Sequence, residues 1–100
     1  MKEPIEVLTI AEVVHFAVKA AADAHRSIVD SGGGLRAADE AARTAFKCCM
    51  PVLESKASVQ AYLAATVRGM ELHLISVRES QQYIKAARLW MSAETAKVAA

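Results

Sequence analysis

Two adjacent cysteines, Cys48 and Cys49, and three histidines, His15, His25 and His73, are the side chains of this 100-residue sequence best suited to nucleophilic or metal chemistry. Their placement argues against both uses. The cysteines fall in the last turn of a helix that Pro51 ends, where the negative end of the helix dipole disfavours the thiolate a nucleophile needs. Neighbouring residues on a helix also point about 100° apart, unlike the C-x-x-C spacing that chelates zinc. They read as structural thiols, Cys49 in the core and Cys48 on its margin. Being adjacent, they cannot cross-link distant parts of a fold, and a reducing compartment suits them.

His25 lies on an apolar helical stripe, where a covered ring nitrogen needs a partner, and reads as a core or near-terminal histidine. His15 flanks a polar stripe and His73 closes a helix, and neither has a carboxylate or cysteine at ligand spacing. No P-loop, G-x-G-x-x-G, G-x-S-x-G or H-E-x-x-H pattern occurs. The run Gly32-Gly33-Gly34 follows a helix and not a strand, so it reads as a cap and linker. No catalytic residue, metal ligand or cofactor-binding residue is therefore expected, and the chain reads as a non-enzyme.

The elements that carry these residues are helical throughout. Helix 1 begins at the capping box Thr9-Ile10-Ala11-Glu12, with Leu8 and Val13 as a hydrophobic staple. Val7, Ala11, Val14, Val18, Ala21, His25 and Ile28 recur at helical spacing as its inner stripe. Glu12, Lys19, Asp23, Arg26 and Asp30 alternate in sign on the other side. The glycine run ends it. Helix 2 is predicted from Leu35 to Met50, with Leu35, Ala38, Ala42, Ala45 and Cys49 inward and Arg36, Glu40, Arg43 and Lys47 outward.

Helix 3 is predicted to start near Ser55 or Ser58 and to reach Leu74. Val59, Leu63, Thr66, Val67, Met70 and Leu74 form one apolar face; Ala61, Ala65 and Gly69, beside Tyr62 and Leu72, form a second. A helix apolar on two sides is the central one, and Gly69 on a lane of small residues should admit a neighbouring backbone. The joint Leu74-Ile75-Ser76-Val77-Arg78-Glu79 holds a second capping box, Ser76 to Glu79, and folds helix 4 back as a hairpin. Ser80, Ile84, Ala87 and Met91 face inward on helix 4, with Tyr83 and Trp90 along the edge.

Length and composition then bound the fold. A chain of 100 residues with 54% hydrophobic residues, 21 of them alanine, supports one domain with a thin core of closely packed helices. The expectation is a single all-α domain over residues 1–100, a compact four-helix bundle with a C-terminal helical hairpin. A formal net charge of +1 supplies no global field toward nucleic acid or an anionic membrane. No stretch approaches the ~18 apolar residues of a membrane span. The opening Met1-Lys2-Glu3-Pro4-Ile5-Glu6 carries two acids and a proline where a secretory signal is apolar, so a cytoplasmic protein is expected.

Two features of helix 4 stand as interaction candidates. Tyr83 and Trp90 lie seven apart on the rim of its apolar stripe, as interface anchors do. Arg78, Lys85 and Arg88, with Gln81 and Gln82, make a cationic face without interleaved acids. These residues are the expected partner-binding set. The functional expectation is a protein–protein interaction module that pairs as a homodimer and docks on an acidic protein surface. Its small size and alanine-rich composition are similar to those of phage and plasmid accessory proteins, which include inhibitors and adaptors.

The alternative is a small DNA-binding transcriptional regulator. Ala65, Gly69, Ile75, Ser76 and Glu79 match part of a helix-turn-helix spacing. Arg68 and Arg78 stand where such a unit is buried, and Leu72 and Leu74 where it should face the groove.

Overall fold

The computed structural model describes residues 9–99, with side chains described as far as Lys97. The expected stripe residue Val7, the staple residue Leu8 and the Met1–Glu6 segment lie outside that range. Four helices follow one another: α1 (Ile10–Asp30), α2 (Leu35–Cys48), α3 (Lys56–Glu71) and α4 (Val77–Ala99). No strand occurs among the described residues, so the all-α, four-helix class holds.

Local chemistry sets the helix starts. At α1 the Glu12 N–H donates to Thr9 Oγ1 at 3.1 Å and the Thr9 N–H donates to Glu12 Oε1 at 2.8 Å. At α4 the same exchange joins the Glu79 N–H to Ser76 Oγ at 3.0 Å and the Ser76 N–H to Glu79 Oε1 at 2.9 Å. Both expected capping boxes are formed, which gives two otherwise orphaned amides a partner at each start. Ser55 and Ser58 make a third such exchange at α3, at 2.9 and 3.1 Å.

Two helix ends share one geometry. After α1 the Gly32 N–H donates to the Val29 carbonyl at 3.0 Å and the Gly33 N–H to the Ile28 carbonyl at 2.8 Å, with Gly32 left-handed at φ 90°. After α3 the His73 N–H donates to the Met70 carbonyl at 3.0 Å and the Leu74 N–H to the Gly69 carbonyl at 2.7 Å, with His73 left-handed at φ 61°. Both are Schellman caps. In one the left-handed position holds glycine and in the other histidine.

The helices pack side by side across a slab in the order α2, α1, α3, α4. α1 packs on α2 and on α3, and α3 packs on α1 and on α4. α3 is thus an inner helix, as its two apolar sides imply, and α1 is the other. The principal extents are 56 × 42 × 16 Å and the radius of gyration is 15.8 Å. A fully compact chain of this length would have a radius of about 13 Å. The bundle is therefore open and flat, with α4 at one margin.

The core has two parts. Ala17 and Ala21 of α1, Ala42 and Phe46 of α2, Ala65 of α3 and Ile75 of the joint bury one another. Val59 and Tyr62 of α3 and Ala87 of α4 form the second cluster. Met50 and Tyr83 pack against both. The antiparallel hairpin of α3 and α4 follows from this, because the start of α3 meets the middle of α4.

Several positions differ from the sequence-based expectation. Phe46 and Ala17 are fully buried, whereas the expected stripes ran beside them through Ala45 and Val18. Leu35, expected inward, is 70% exposed at the first position of α2. Val67 of α3 is also exposed, at the open groove between α1 and α3. Lys47, expected outward, is half-buried against α4. Gly69 is buried as expected, but its near neighbours are side chains and not a backbone. A Cβ there would lie 2.6 Å from Ile75 Cδ1 and 2.7 Å from Phe46 Cε2.

Candidate functional site

Residues 76–90 place seven expected partner-binding side chains on α4, and the helix divides them. With a turn of about 100° per residue, Arg78, Gln81, Gln82, Lys85 and Arg88 share one face, and all five are exposed. Tyr83 and Trp90 point the other way. Tyr83 meets Tyr62 edge-on, with ring centroids 5.6 Å apart and planes at 84°. Trp90 is half-buried against the Val59, Tyr62 and Ala87 cluster. The aromatic pair thus helps to hold α4 on α3, and the structure does not bring it to the cationic face.

The electrostatics of that face follow from where the acids of α4 go. Glu79 Oε2 pairs with Lys47 of α2, and both side chains are about one-third exposed, at 35% and 31%. The hydrogen bond from Lys47, then the Ser76 N–H, holds the Glu79 carboxyl below its ordinary value of 4.5; partial burial opposes them. Glu94 pairs with Lys97 at 3.3 Å and lies beside the start of α3. Neither acid reaches Arg78, Lys85 or Arg88, and none of these three makes an ion pair within 4 Å among the described residues. Val77, 63% exposed, and Leu89, 61% exposed, flank the cations.

Elsewhere cations are mostly neutralised locally. Asp23 takes Lys19 at 3.1 Å and Arg26 at 3.6 Å, and Glu71 takes Arg68 at 3.1 Å. The polar stripe of α1 cancels itself as its alternation implies. Arg36 and Arg43, seven apart on one side of α2, and Lys56 of α3 also lack an ion pair among the described residues, but Asp39 and Glu40 are interleaved between the two arginines and Lys56 stands alone. Three free cations on one helical face are found on α4.

The side chains suited to catalysis are placed differently. Cys48 is exposed and Cys49 half-buried, packing against the Phe46 cluster, and both are free thiols. Among the described residues no three histidine, cysteine or acidic side chains are grouped closely enough to hold a metal ion. No described helix is long and apolar enough to cross a membrane. Burial, and secondarily the nearby Tyr83, pushes the Tyr62 phenol above its ordinary 10.0; its place in the second core cluster accounts for that.

One grouping was not visible in the sequence. His25 of α1 lies 3.4 Å from Asp39 of α2 through its Nε2 atom, and the two border a hollow that Arg43 and His73 also line. The partner of His25 is 14 positions away in another helix, beyond any helical spacing rule. No family model, curated protein or solved structure matches the chain.

Proposed function

We propose that this chain is a non-enzymatic protein–protein interaction module whose α4 outer face docks on an acidic surface of a partner protein. One observation carries the reading. Arg78, Lys85 and Arg88 are exposed, free of local acids and aligned on a face that extends about 15 Å along the helix. Exposed cations without local partners are available to steer and orient an acidic partner.

Val77 and Leu89 favour a protein over nucleic acid. A phosphate backbone rewards cations and gives nothing to exposed valine and leucine at the same face, whereas a protein surface can bury them. Self-association belongs to the same proposal. Its surface is the open groove between α1 and α3, where Ile10, Val14, Val18, Ala64 and Val67 come together. An adaptor that pairs through α1 and α3 would present two cationic faces.

The test is a comparison of the native chain with Arg78→Glu/Lys85→Glu/Arg88→Glu. A partner protein retained by the native chain should be lost by the triple reversal, while helicity and the dimer mass by light scattering stay unchanged. A random DNA duplex should bind neither protein at low salt. Capture that survives the reversal moves recognition away from α4. Duplex binding that falls steeply with salt would instead support the regulator reading.

A further inference from the structure

We infer that the hollow between α1, α2 and the α3–α4 joint binds a small amphiphilic carboxylate, its tail on the hollow's apolar floor and its head on Arg43 and His73. The hollow has a volume of about 330 Å³. That is near the lower end of the ~300–1,000 Å³ range of small-molecule pockets, enough for an acid with one ring or a short chain. Val18, Ala21, Ala42 and Leu74 give it an apolar floor. None of its residues lies on the cationic face of α4, so the inference is independent of the docking proposal.

The first argument comes from His73. It stands in the left-handed position of a Schellman cap, at φ 61°, where glycine is least strained. The same chain fills the matching position after α1 with Gly32, at φ 90°. A Cβ built at Gly32 would meet nothing within 4 Å. At the α3 cap an imidazole is retained against the backbone preference, and it lines the hollow. Strain held at a concave site is the pattern expected where the side chain has work to do.

Arg43 supplies the second argument. Asp39 stands four residues before it on α2, the spacing at which a helical ion pair would form. Asp39 instead contacts His25 at 3.4 Å, and Arg43 makes no ion pair within 4 Å among the described residues. Arg43 therefore lines the hollow unpaired, with Asp39 on the same rim engaged by His25, and also borders the neighbouring hollow with His73. Its planar fork matches a carboxylate bidentately.

Charge selects the class further. Asp39 on the same rim repels a multiply charged phosphate more than a single carboxylate, and Arg43 repels a cation of the same shape. The apolar floor adds affinity to an acid with a tail and none to a bare ion.

The experiment is a titration of the isotope-labelled full chain with benzoate, followed by amide resonances, with inorganic phosphate and benzylamine as companion probes. Benzoate should shift the Ala21, Ala42 and Leu74 resonances in a saturable, millimolar isotherm, and the other two probes should not. Arg43→Gln should weaken benzoate by about tenfold. His73→Gly should also weaken it while raising the melting temperature, a pairing that a merely structural histidine would not produce.

Absence of saturable benzoate shifts overturns the inference. So does undiminished binding by a folded Arg43→Gln protein. Phosphate or benzylamine binding as well as benzoate would remove the amphiphilic-carboxylate class.

Discussion

The two core clusters use opposite means to hold their helices. Around Phe46, three helices and the joint close on one another through alanines and a glycine, so the Phe46 ring is fully covered and neighbours approach tightly. Around Tyr62, two helices meet through larger side chains, and Tyr83, Trp90 and Met91 remain half-buried. Small residues permit close approach but leave no slack; aromatic residues bridge a wider gap and tolerate exposure. The first region fixes the body of the molecule, and the second attaches α4 to it along one side.

The contrast would break most clearly at Phe46. Phe46→Ala opens a cavity among α1, α2, α3 and the joint, and should cost about 3–5 kcal/mol, seen as a large fall in melting temperature with loss of all helices together. A small loss there would mean that the alanine-lined region can collapse. Gly69→Leu tests the lack of slack from the other direction. Its Cβ would already be under 3.0 Å from Ile75 and Phe46, so overpacking should cost about 1–3 kcal/mol in denaturant unfolding.

On the α4 side, Trp90→Ala removes a half-buried ring and should cost about 1–2 kcal/mol. The comparison is sharpened by where the loss is felt. Amide exchange should quicken in the second half of α4 while the amides around Phe46 keep their protection.

Glu79→Gln should have the smallest effect, about 0.5–1 kcal/mol, because the pair with Lys47 is part-exposed. Its pH dependence gives the sign. A carboxyl held below its ordinary 4.5 in the folded state stabilises above that value. The contribution is lost as pH falls through the depressed folded value. The native chain should therefore lose its advantage over the glutamine variant on acidification, as read from melting temperatures across that range.

Features governed by neighbours along the chain were legible in the sequence. The Thr9/Glu12 and Ser76/Glu79 boxes and the glycine stop after α1 each depend on residues a few positions apart. Burial was legible to within one residue of helical phase. The expected stripes took Val18 and Ala45, and the buried lines pass through Ala17 and Phe46, because the direction of a neighbouring helix decides which adjacent residue points inward.

The pairing of Asp39 with His25, and of Lys47 with Glu79, needed the tertiary arrangement and left no periodic trace. The cationic face was legible as charge without acids. Whether Tyr83 and Trp90 were rim anchors or covered contacts was not, since seven-residue spacing alone does not tell one from the other. The flat outline likewise depends on how helices meet, which small apolar residues leave open.

The two oxygens of Glu79 also govern aim. Oε1 accepts the Ser76 N–H that fixes where α4 starts, and Oε2 takes Lys47, which fixes how that start is turned against α2. A helix begun one residue later would be rotated by about 100° about its axis. Lys85 would then take the place of the half-buried Ile84 and Arg88 that of the buried Ala87, turning both from solvent toward α3. One carboxylate thereby works as an indexing pin: it sets the compass bearing of a surface whose most distant cation lies nine residues further along the chain.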